Sequence, residues 1–124
     1  MQKFKVIPSE SVQMFFTYMY QQLGGDEEAY RAVSEPAEAL RTHLADDPYS
    51  HTARAARGAN PDERFAILDT FPAHVIRRGF AQYAQEYLCV YFVVDQARGE
   101  VVLIGIRYLD SAQVKELLLN AQYD

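Results

Sequence analysis

Two apolar runs, Tyr87–Val94 and Val101–Tyr108, flank the connector Asp95-Gln-Ala-Arg-Gly-Glu100. Both runs are rich in β-branched and aromatic side chains, which suit a pleated surface, and Gly99 can take the left-handed backbone that a short hairpin loop often needs. Residues 87–108 therefore read as a buried β-hairpin. The segments before it read as a strand and then helices, and that order narrows the fold to a few choices.

The 124 residues, 49% of them apolar, are enough for one domain over residues 1–124 that buries a core without disulfide or metal staples. Cys89 is the single cysteine and lies inside the hairpin, so the monomer builds neither a disulfide nor a thiolate zinc site, and a reducing compartment fits best. No charged-then-apolar leader precedes the first strand, and every apolar run is interrupted before it reaches bilayer-spanning length, so the expectation is a cytoplasmic protein with no membrane partner.

The net charge of −5 argues against indiscriminate grip on nucleic acid, because phosphate binding depends on clustered Lys and Arg. The charge is unevenly spread. Lys plus Arg against Asp plus Glu runs 4 to 8 in residues 1–49, 7 to 6 in residues 50–109 and 1 to 3 in residues 110–124. All seven cations of the middle segment are arginines, whose planar fork grips phosphate or carboxylate in two-point contacts. They supply either a local anion site or ordinary solvated strand and loop positions.

Along the chain, residues 3–7 alternate polar and apolar, and Pro8 ends the ladder, giving a short first strand. Ser9 or Ser11 caps a helix on which Val12, Phe15, Phe16, Met19 and Leu23 recur at helical spacing until Gly24-Gly25 stops it. Asp26-Glu-Glu28 opens a second helix with Tyr30, Val33, Ala37, Leu40 and Leu44 on one side, so the two form a helical hairpin. Pro36 removes a hydrogen bond inside it, which predicts a kink or a restart with Ser34 as cap. Residues 50–63, with Gly58, Asn60 and Pro61, read as an exposed loop carrying Arg54 and Arg57. Glu63–Phe71 and His74–Phe80 read as strands around Pro72, and Asp110 with Gln113 caps a short terminal helix containing Leu117, Leu118 and Leu119.

The expected fold class is thus α+β: an N-terminal strand, a helical hairpin, then an antiparallel sheet of about four strands with a short C-terminal helix. This order resembles the RelE/ParE superfamily, the toxin halves of bacterial type II toxin–antitoxin pairs, some of which stabilise plasmids. Three segments carry the resemblance: Phe4–Ser11 as opening strand and helix cap, Asp26–Pro48 as second helix ending in Leu44-Ala-Asp-Asp-Pro48, and the paired strands Tyr87–Asp95 and Val101–Tyr108. The chain departs from the family at two places. Leu88 stands where members commonly place Arg, and Leu109-Asp-Ser-Ala112 stands where they commonly carry a basic cluster.

The resemblance implies two mechanisms. One is a ParE-like toxin that inhibits growth by binding a target such as DNA gyrase; the other is a RelE-like, metal-independent endoribonuclease that cuts messenger RNA on the ribosome. A non-toxic interaction module that keeps the fold is a third reading. Either toxin implies a cognate antitoxin whose disordered segment folds across the apolar helices and a sheet edge, with oligomers arising through that complex. An RNase of this kind needs a base for the ribose 2′-hydroxyl, an acid for the leaving oxygen and cations at the phosphate. The candidates on the matched segments are His74, Arg77, Arg78, Tyr87, Arg107 and Tyr108, with Arg107 the foremost anion contact. Arg77 and Arg78, adjacent on an expected strand, would face opposite sides.

His43 falls at the carbonyl end of the second helix and His51 begins a loop; neither shares ligand spacing with another donor, so no metal is expected. Gly24-Gly25 lacks any Walker or dinucleotide fingerprint, so no cofactor is expected either. Cys89 reads as an inert buried hydrophobe, and most of the aromatic residues as core. The acidic balance and the two departures favour the binding toxin over the RNase, whose substrate is polyanionic.

Overall fold

The computed structural model describes residues 3–49, 53–54, 63–69, 73–77, 79–80 and 86–121. Their order is β1 (Lys5–Pro8), α1 (Glu10–Gln22), α2 (Glu27–Asp46), β2 (Ala53–Arg54), β3 (Glu63–Asp69), α3 (Ala73–Ile76), β4 (Glu86–Asp95), β5 (Glu100–Asp110) and α4 (Ser111–Leu119). This is the α+β layout expected from the sequence: strand, helical hairpin, sheet and short terminal helix.

The helical hairpin is set by its ends. The Ser9 side chain accepts the Val12 N–H to start α1. At the other end the Gly24 and Gly25 N–H groups donate to the carbonyls of Gln21 and Tyr20, and both glycines have positive φ (64° and 74°). This paired closure satisfies carbonyls that a helix end leaves open, and it turns the chain at once into α2. The Asp26 side chain accepts the Ala29 N–H, and Glu27 and Glu28 place negative charge at the positive end of the helix.

The restart expected at Ser34 does not occur: α2 is one helix from Glu27 to Asp46 with Pro36 inside it. An interior proline costs about 3 kcal/mol. Val33 and Leu44, on either side of it, are both fully buried and gain roughly 1.5–3 kcal/mol each, so packing outweighs the missing donor.

The strands form one sheet in the order β1-β5-β4-β3-β2. The pairs β2·β3, β3·β4 and β4·β5 are antiparallel, whereas β1 joins β5 in parallel, with Val6 opposite Val101. The sheet is therefore mixed. Gly99, at φ 63°, completes the turn between β4 and β5. The ladder of β4 and β5 contains one irregularity: Phe92 pairs with Leu103 and Tyr91 with Gly105, leaving Ile104 as an extra residue on β5.

The helical hairpin covers one face of the sheet. Val6, Ala66, Phe92 and Val101 pack there against Leu44 and Ala45, and a second cluster joins Met19, Leu23 and Ala29 to Val75 of α3. Among the described residues, α4 covers the opposite face, with Val114 and Leu117 over Phe65, Cys89 and Leu109. A reciprocal cap holds the start of α4: the Gln113 N–H donates to Asp110 Oδ1 at 2.8 Å and the Asp110 N–H to Gln113 Oε1 at 2.9 Å.

Two strand expectations are corrected. Residues 74–76, read as the start of a strand over His74–Phe80, belong to the short helix α3; the single turn buries Val75 completely against α1 and α2, which an extended segment at the sheet edge would leave outside. Within the expected loop of residues 50–63, Ala53–Arg54 forms a two-residue edge strand on β3. The strand expected over Glu63–Phe71 is observed as β3, Glu63–Asp69. Arg57, Gly58, Asn60, Pro61 and His51 lie outside the described residues. Among the described residues no helix is long and apolar enough to cross a membrane.

Candidate functional site

Strand register decides which candidate residues share a surface. On β4 the residues Tyr87, Cys89, Tyr91 and Val93 point away from α1 and α2, and their partners on β3 are Asp69, Ile67, Phe65 and Glu63. On β5 the extra residue Ile104 shifts the alternation by one. Strict alternation from Val101, which faces the helices, would put Arg107 on the helix-covered side; after the bulge Arg107 instead pairs with Cys89 on the far face, and Tyr108 pairs with Leu88 on the helix side.

Arg107 and Tyr87 thus share the far face, and Tyr108 is separated from both. Tyr108 is half-buried, its hydroxyl donating to Met19 Sδ at 3.5 Å and its ring 5.8 Å from that of Phe15. Packing between sheet and helix accounts for its position. Arg77 follows the helical turn of α3 and is exposed, so it does not lie on the expected strand; Arg78 lies outside the described residues. His74 on α3 pairs with Glu28, Nε2 to Oε1 at 3.2 Å, on an exposed surface where such contacts contribute little.

The far face gathers a different group. The exposed Arg107 guanidinium lies over the Tyr91 ring, 5.4 Å from its centroid, and the Tyr91 ring in turn lies 6.5 Å from that of Phe65. Cys89, directly opposite Arg107 and fully buried, shares a side-chain hydrogen bond with Tyr91. Burial pushes the Cys89 thiol up; the contact with Tyr91 and the charge of Arg107 only partly oppose this. Burial likewise raises the Tyr91 phenol, Cys89 adds to the rise, and Arg107 opposes it.

These directions define what the group does. A buried thiol held protonated is a poor nucleophile, and a phenol held protonated donates a hydrogen bond instead of removing a proton at neutral pH. Arg107 is therefore the reactive feature, a cation presented on an aromatic platform and able to contact a carboxylate or phosphate. Its surroundings limit that ability: Glu63, Asp69, Asp95 and Glu100 occupy positions of the same face, against Arg107 and Lys5.

Tyr91, assigned to core packing from its place in an apolar run, is the residue that orients Arg107. The signal that finds it is the i, i+2 relation to Cys89 together with the shifted register of β5. Arg64 is also unlike a solvated strand residue: it is 4% exposed, its Nη2 donates to the Tyr49 carbonyl at 3.4 Å, and its guanidinium lies 5.2 Å from the Tyr49 ring centroid. Its alternation with Ala66 and Leu68 marks it as inward-facing. Among the described residues no group of three His, Cys, Asp or Glu side chains is placed to hold a metal ion. No family model, curated protein or solved structure matches the chain.

Proposed function

We propose that this chain is a ParE-like toxin of a type II toxin–antitoxin pair, inhibiting growth by binding a target such as DNA gyrase and neutralised by a cognate antitoxin. The observation that carries this reading over the RNase is the division of the candidate residues: Tyr108 is packed against Met19 on the helix side, while Arg107 stands among carboxylate positions on the far face. Cleavage of a polyanion needs cations and a proton-transfer pair on one surface. A binding toxin needs contact surface instead. Met14 and Tyr18 of α1, 63% and 57% exposed and one turn apart, offer apolar surface of the kind that an antitoxin segment covers on folding.

One arrangement favours the RNase: Arg107 and Tyr87 share a face, with Arg107 exposed. Induced expression in a bacterial host, with pulse labels for DNA and protein synthesis in one culture, separates the readings. Early loss of DNA synthesis is the expected result. Early loss of protein synthesis, abolished by Arg107→Ala, would replace the proposal with the ribosomal RNase, and unimpaired growth would replace it with a non-toxic interaction module.

A further inference from the structure

A cleft of about 450 Å³ opens between α1 and α2 above the sheet, a volume in the range of small-molecule sites. Val90, Leu103 and Ile106 line it from the sheet and Phe16 from α1, while Tyr30, Ser34 and Ala37 line it from one side of α2. Small side chains account for the space. Ser34 and Ala37 put little volume on the α2 wall, so the two helices, tied together at Gly24-Gly25, leave between them a gap that neither fills.

The polar groups of this cleft lack partners. Thr17 and Thr42, the threonines of the two helices, each donate the hydroxyl to the carbonyl four residues earlier, at 3.4 and 3.2 Å. Among the described residues the Ser34 hydroxyl makes no such bond, and neither does the Tyr30 hydroxyl one turn away. The charges lining the cleft, Glu38 and Arg41, pair with each other at 3.3 Å. An entering molecule therefore meets apolar surface, two aromatic rings and two open hydroxyls, but no unpaired charge.

We propose that the cleft binds an uncharged, hydroxylated aromatic molecule, its rings between Phe16 and Tyr30 above Val90, Leu103 and Ile106 and its hydroxyl bonded to Ser34 and Tyr30. Burial of the rings removes apolar surface from water, and contact with Phe16 and Tyr30 adds ring–ring attraction. A bound ligand also bridges α1 and α2, so it raises the melting temperature by mass action.

The test is titration of the full chain with 2-naphthol, naphthalene and 2-naphthoate at neutral pH. The chain contains no tryptophan, so naphthol fluorescence reads binding directly. 2-Naphthol is expected to bind saturably at one site per chain, with Kd of about 100 µM or tighter. Naphthalene, without the hydroxyl, and 2-naphthoate, charged, should each bind about threefold more weakly or worse. Tyr30→Phe/Ser34→Ala should weaken 2-naphthol about tenfold and leave naphthalene unchanged, whereas Ala37→Phe, which fills the cleft, should weaken both. Arg41→Gln should leave 2-naphthol unchanged. Circular dichroism on each variant separates lost folding from lost binding; Ser34→Ala alone, a favourable exchange within a helix, serves where the double variant fails to fold and should weaken 2-naphthol about threefold. Equal affinity for naphthalene and 2-naphthol, unsaturable binding, or a folded Ala37→Phe chain that binds as before would overturn the site. Tightest binding of 2-naphthoate, lost in Arg41→Gln, would assign the cleft to an anion and overturn it as well.

Discussion

The same strands present two very different surfaces. Toward α1 and α2, side chains of β1, β5, β4 and β3 close into one packed layer in which Val6, Val101, Phe92 and Ala66 are buried. On the far side, Phe65, Cys89 and Leu109 are buried beneath α4, but Val93 and Val102 are only half-buried and Arg107 is exposed. Alternation along a strand creates two faces of similar apolar content; cover by another element decides which becomes core. The covered face holds the fold together; on the other, Arg107 stays exposed beside the cover that α4 gives.

The largest expected effect lies on the covered face. Phe92→Ala leaves a large cavity at a fully buried position and should cost about 3–5 kcal/mol in urea unfolding; a cost below about 1 kcal/mol would show that the helices do not hold that face as described. Asp110→Ala removes the cap of α4 and should cost about 1 kcal/mol. Its effect should be local, with faster thiol labelling of Cys89 and unchanged amide exchange in α1 and α2; equal loosening of both faces would break the distinction. Arg107→Ala removes an exposed cation–ring contact, so stability should change by no more than about 0.5–1 kcal/mol while any growth inhibition that uses the far face is reduced.

The smallest effect is confined to alkaline solution. Folding raises both the Cys89 thiol and the Tyr91 phenol, so the folded state keeps these protons to higher pH than the unfolded state does. Their contribution is complete below the ordinary thiol value of 9.0 and is lost as pH rises from there through the raised folded values. Melting temperature should fall over that range more steeply for the natural chain than for Cys89→Ala. Equal slopes would show that burial of the thiol is not a source of alkaline sensitivity.

Much of this architecture is legible because its signals are local. Ser9, Gly24, Gly25, Asp26, Asp110 and Gln113 each act on backbone groups a few positions away, so caps and helix ends follow from spacing. The failures are tertiary. His74-Val-Ile76 is short and β-branched, and what makes it helical is the space for Val75 between Met19, Leu23 and Ala29, which no neighbouring residue announces. Pro36 stays within α2 because buried residues on both sides hold the helix. At the candidate site, Arg107 is recognisable as a cation on a late strand. Its partners are not, because Tyr91 and Cys89 meet it only through a register that alternation alone gets wrong.

The extra residue in β5 gives the chain a way of changing its outer chemistry without changing any side chain. Ile104 acts as a punctuation mark: deleting it would leave Arg107 opposite Cys89 and Tyr108 opposite Leu88, whereas keeping it but absorbing it into a regular ladder would exchange their destinations, driving a guanidinium under the helices and setting a tyrosine among the acidic positions outside. Loss of the bulge with Ile104 in place would thus impose two costs at once, a buried charge and a vacated anion contact. In a relative of this chain, whether a residue is bulged out between the turn and position 107 would accordingly be as informative about its working surface as the identity of the residue found there.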